Sequence, residues 1–118
     1  MTRPRFDNHS TEFGLWLRSR PEIDSSKGFV ATNLDYVWQN YKTGDWMFIE
    51  EKRHGASPSH WQHQIFQMLH RLCRNDPAFH GFHLIQFENT SPDDGSMWLD
   101  HKLITIDELL LFLTFLAP

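Results

Sequence analysis

Cysteine is almost missing from this chain: Cys73 stands alone, so no internal disulfide can form, and such sparing use suits a reducing compartment. Long apolar runs are missing too. The most apolar stretch, Leu109 to Ala117, falls short of the roughly 20 residues needed to span a bilayer, so no membrane segment is expected. Met1 to Ser10 is polar and carries Arg3, Arg5 and Asp7, unlike an apolar leader, and a cytoplasmic location is the expectation. No repeat, low-complexity tract, Gly-rich phosphate loop, nucleophile elbow or zinc knuckle occurs.

Positive charge is scarce, and its distribution matters more than the net value of −4. Residues 1–74 hold ten Lys/Arg against eight Asp/Glu, whereas residues 75–118 hold one Lys against seven Asp/Glu. A polyanion is therefore favoured at one end and repelled at the other. The 118 residues fit one domain over 1–118, and 40% apolar content with ten Phe and five Trp can build one core.

The expected element order is helix, two strands, helix, one or two strands, helix. A first helix is expected from Ser10 to Ser19, with Ser10 as cap, Glu12 in the first turn and Pro21 beyond its end. Residues 23–30 read as loop or weak strand. Ala31–Tyr41 and Trp46–Arg53 read as a hairpin, with Thr43 and Gly44 as a two-residue loop. A second helix is expected from Ser57 and Pro58 to about Asn75, burying Trp61, Ile65, Met68, Leu69 and Leu72. Gly81–Glu88 reads as a strand, and Met97–Leu99 with Lys102–Ile104 as a short hairpin. Thr105 and Glu108 form a capping box for a last helix, apolar nearly all round and so buried in the domain or against a partner chain.

The chemistry concentrates in the hairpin. Alternation puts Glu50 and Lys52 on one strand face and Glu51 on the other. With a Thr43-Gly44 loop, Asp35 faces Lys52, Val37 faces Glu50, and Asp35 lies diagonal to Glu50 on the same face. A one-residue slip would send Asp35 to the opposite face, and a two-residue slip would keep or distort the arrangement. Two carboxylates beside one ammonium suit a hard cation such as Mg2+ or Mn2+ acting on a phosphodiester. The plainer reading is a solvated strand face with an Asp35–Lys52 salt bridge.

Asp35 followed across a turn by Glu50-Glu51-Lys52 resembles the core of the PD-(D/E)XK nucleases, including resolvase-like members. The resemblance covers residues 10–105 and implies a restriction-endonuclease-like α/β core: helix, three-stranded meander, helix and strand, in a mixed sheet flanked by helices, followed here by the apolar C-terminal helix. It implies a metal held by Asp35, Glu50 and the backbone carbonyl of Glu51, a catalytic Lys52, a further metal ligand at Glu12, and a helix glutamine at Gln64 or Gln62. Arg53 and His54, next to Lys52, are candidate substrate contacts. Leu34 stands where the family name has proline. DNA is the expected partner, with a homodimer through the last helix able to address both strands. Two rivals are a nucleic-acid-binding module without catalysis and an interaction protein docking through its C-terminal helix. His60 and His63 lie one helical turn apart without a cysteine or spaced acid to complete a zinc site, and Cys73 reads as a small buried hydrophobe.

Overall fold

The computed structural model describes residues 12–29 and 31–116. Where the sequence suggests one domain over 1–118, the internal contacts group into two compact units, Met1–Asn33 and Leu34–Pro118.

The first unit contains α1 (Glu12–Ser19) and two short 3-10 turns, Pro21–Ile23 and Ser25–Lys27. Ser10, the expected cap of α1, lies outside the described residues. The 3-10 turns fall in the segment read as loop or weak strand, and the described meander has two strands rather than three. Local chemistry explains the turns. Pro21 opens the first turn, the Asp24 carboxylate accepts from the Ser25 N–H at 2.8 Å, and Gly28 closes the second turn at φ 99°.

The second unit is an α/β layer structure. Its sheet runs β1 (Tyr36–Gln39), β2 (Trp46–Lys52), β3 (Phe79–Phe87), β4 (Met97–Leu99) and β5 (Lys102–Ile104), in that spatial order. The pair β2–β3 is parallel and every other pair antiparallel, so the sheet is mixed. The parallel pair requires a crossover, which α2 (His60–Cys73) supplies.

The hairpin loop is longer than two residues. Asn40 N–H donates to Asp45 O at 2.9 Å, and Asn40 Oδ1 accepts from Lys42 N at 2.9 Å. This side-chain-stabilised turn moves the pairing by two residues, to Tyr36 with Ile49 and Gln39 with Trp46. An even shift leaves every side chain on its expected face but exchanges its partners. Continuing the register puts Asp35, just outside β1, beside Glu50 rather than Lys52.

Each sheet face carries a helix. Phe48 and Phe82 meet α2 through Phe66, whose ring stacks on Phe82 at 4.3 Å. The opposite face holds Met47, Ile49, Ile85, Phe87 and Met97, closed by Leu109 of α3 (Ile106–Leu113).

Both helix caps answer to their sequences. Thr105 and Glu108 form the expected capping box. On α2 the cap is Ser59, boxed with Gln62, rather than Ser57, whose hydroxyl instead accepts from Gln86 Nε2 at 3.4 Å. The α2 stripe is also rotated from expectation. Trp61 and Leu72 are 58% and 67% exposed, while Phe66 is buried, because the aromatic cluster of Phe48, Phe79 and Phe82 receives its ring. Apolar as it is, α3 buries only one side: Leu109 is inside, and Leu110 and Leu111 are exposed.

Candidate active site

Three features of the hairpin bring the acidic pair together. β2 is the central partner of both β1 and β3, which buries its end, and Glu50 is only 2% exposed. Asp35 is drawn in by a side-chain bond to the main chain, with Oδ2 accepting from the Glu51 N–H at 2.9 Å. Lys52, two residues beyond Glu50 and on its face, places Nζ 3.2 Å from Glu50 Oε2.

The ammonium is held from a second side by α2, where Gln62 Oε1 accepts from Lys52 Nζ at 3.0 Å. The same oxygen accepts from Ser59 N–H at 3.0 Å. The capping box of α2 therefore also fixes the lysine.

Electrostatics set Glu50 apart. Its pKa is pushed up to about 7, first by burial and then by the negative charge of Asp35, with Lys52 opposing both. One carboxyl oxygen, Oε1, is buried without a hydrogen-bond partner. Such an atom costs free energy as it stands and is satisfied by a cation. The donor set available is two carboxylates and peptide oxygen, the hard-oxygen chemistry that Mg2+ and Mn2+ take, and Mg2+ binds commonly through one or two carboxylates with retained water. The residues thus fit such an ion, although no three His, Cys, Asp or Glu side chains cluster as ligands among the described residues.

Within the second unit, the other expected site residues separate. The Glu51 side chain lies on the other sheet face, where Tyr36 OH donates to Oε1 at 2.8 Å and Arg53 Nε donates to Oε2 at 3.3 Å. The hydrogen bond to Glu51 also raises the Tyr36 phenol pKa. Arg53 is thus committed to Glu51. Gln64 pairs with His60 at 3.3 Å on the exposed side of α2, so Gln62 rather than Gln64 is the helix glutamine at the lysine. His54 is exposed, with its N–H donating to Asn89 O at 2.8 Å, and it opens the turn just after β2 in the left-handed region at φ 55°. Histidine tolerates that region better than most residues, and Gly55 follows it there at φ 71°. Glu12 opens α1 in the first unit. The histidine pair on α2 makes no shared site: His63 Nε2 pairs with Gln67 at 3.1 Å, and His60 with Gln64.

One residue of the site wall escapes sequence reading. Gln86 pairs with Lys52 across the parallel ladder and is buried on the same face. Its Nε2 donates to Ala56 O at 3.0 Å, which ties the loop after Lys52 to the sheet. The signal was a lone polar residue at the even positions of Phe82, Leu84 and Gln86. It became interpretable only once the parallel pairing was known.

No family model, curated protein or solved structure matches this chain. Among the described residues, no helix is long and apolar enough to cross a membrane.

Proposed function

We propose that this chain is a divalent-metal-dependent nuclease with a restriction-endonuclease-like core, acting on DNA phosphodiesters. One observation carries the reading: Asp35 and Glu50, distant in sequence, meet at the mouth of a hairpin with Lys52 Nζ 3.2 Å from Glu50. In support, a meander of two described strands, one fewer than the resemblance implies, is followed by α2 and then by β3, which runs parallel to β2.

Asp35 and Glu50, with the Glu51 carbonyl, would hold Mg2+ or Mn2+, which when bound polarises the phosphodiester and lowers the pKa of water. Glu50 supplies a buried oxygen, Oε1, that accepts from no N–H or O–H donor, while a hydrogen bond between its carboxyl and that of Asp35 adds to the raised pKa. Asp35 is kept in place by the Glu51 N–H, so the pair is oriented before any ligand arrives. Lys52 contributes a fixed positive charge. Gln62 and Glu50 hold its ammonium within 3.0 and 3.2 Å, where it offsets the negative charge that builds on a phosphate under attack. The burial that raises the Glu50 pKa also strengthens these interactions by excluding water.

The test is manganese-dependent cleavage of a panel of single-stranded, duplex, flap and junction DNA. The wild-type protein cuts at least one substrate, and Lys52→Ala lowers that rate at least a hundredfold. Cleavage of none, or equal cleavage by the variant, would refute the proposal.

A further inference from the structure

Alternation along the hairpin gives it a second functional face. Tyr36 follows Asp35 and Glu51 follows Glu50, so both point away from the acidic pair. There, Tyr36, Trp38, Glu51, Phe87, Ser91 and Leu113 help to line a pocket of about 300 Å³.

Both aromatic rings are anchored by their polar ends. Tyr36 OH donates to Glu51 Oε1, and Trp38 Nε1 donates to Leu113 O, each at 2.8 Å. They remain 50% and 42% exposed. As alternate residues of one strand they stand about 7 Å apart on the same face. The pocket therefore presents preorganised aromatic surface and apolar walls. Its one acid, Glu51, is already engaged by Arg53 and Tyr36, which disfavours both an amine and a phosphate as the occupant. A flat, uncharged heteroaromatic ring with polar edges satisfies these conditions, with the lining Ser91 hydroxyl, whose oxygen accepts from the Asp93 N–H at 3.2 Å, left to donate its proton.

We propose that this pocket stacks an unpaired nucleobase of a single-stranded nucleic acid whose backbone passes around the β1 edge to the Asp35–Glu50 pair. This rests on the nuclease reading and narrows its substrate to unpaired strands. Continuity carries it, because the pocket and the acidic pair are built from successive residues of the same two strands. β1 is also the terminal strand of the sheet among the described residues, which leaves an edge to pass around. Bases in a duplex are stacked within the helix and cannot enter, whereas unpaired bases present their faces to aromatic side chains.

The test is fluorescence anisotropy of labelled oligonucleotides with the full chain in EDTA, so that binding is read without cleavage. The probes are an oligothymidylate, the same length of oligouridylate, an abasic strand and a duplex. Either thymidylate or uridylate binds at least tenfold more tightly than the abasic strand and the duplex. Trp38→Leu weakens single-strand binding at least tenfold, and Trp38→Phe, which keeps a ring, loses less. Equal affinity for the abasic strand or the duplex overturns the proposal. That comparison uses the wild-type protein and does not depend on how a variant folds. If Trp38→Leu instead converts a dimer to a monomer and leaves oligonucleotide affinity unchanged, the pocket seats a second copy and the proposal is overturned. Base-dependent binding without any cleavage refutes the nuclease reading alone, while cleavage without base dependence refutes the pocket alone.

Discussion

The Asp35 carboxylate accepts the backbone N–H of Glu51 at 2.9 Å. This bond lies just beyond the last paired residues of β1 and takes the place of one more rung in the ladder. Asp35 is thereby held against the end of β2, where its charge helps to raise the Glu50 pKa to about 7. Backbone geometry and acid–base behaviour are thus linked at one position.

Glu50 makes stability depend on pH in the unusual direction. Its pKa rises from 4.5 in the unfolded chain to about 7 in the folded one. The folded chain therefore holds the proton more tightly, and stability is lost as pH rises from about 4.5 through about 7. The shift corresponds to about 3 kcal/mol at pH 8. Glu50→Gln, measured by thermal unfolding, should raise Tm by several degrees at pH 8 and change it little at pH 4.5. A lower Tm for the variant at pH 8 would remove this account of the buried acid.

Gln62 and Gln64 should behave differently although they are two residues apart. Gln62 serves both the α2 cap and Lys52, whereas Gln64 meets only His60. Gln62→Leu is expected to cost about 1 kcal/mol of stability in denaturant unfolding, together with at least a tenfold loss of cleavage. Gln64→Ala should leave both nearly unchanged. Similar behaviour of the two variants would show that the lysine does not depend on the helix.

The exposed side of α3 supports a prediction about assembly. Leu110 and Leu111 face outward on a helix that buries Leu109, and an exposed apolar patch of this kind suits an interface, for which a second copy of the chain is the candidate partner. Sedimentation equilibrium at micromolar concentration should give twice the 14.1 kDa chain mass, with Leu111→Glu restoring the single mass. A monomer at every concentration would show that α3 is not a dimer interface.

What the sequence could reveal divided along physical lines. The faces of Asp35, Glu50 and Lys52 were legible because strand alternation has a period of two, and the register error was also two. The partners were not legible. The Asn40 side chain stabilised a longer turn than the Thr43-Gly44 pair suggests, so Asp35 lies beside Glu50 rather than opposite Lys52. The capping box at Thr105 was clear from spacing alone. The box at Ser59 was hidden by the stronger-looking Ser57-Pro58 signal, since Ser57 is taken by Gln86, a residue brought near only by the parallel β2–β3 pairing. The same long-range packing turned Phe66 inward and Trp61 outward, which no local periodicity encodes.

Titration calorimetry with Mn2+ tests the acid pair most directly, because an ion bound there would displace the proton that Glu50 holds near neutral pH. At pH 6.5, in two buffers of different ionisation enthalpy, binding should release about three-quarters of a proton, with almost none released at pH 8.5. Asp35→Ala should abolish the binding. Manganese heats that show no proton release at pH 6.5, or that persist unchanged in Asp35→Ala, would contradict the assignment of Asp35 and Glu50 as the metal centre.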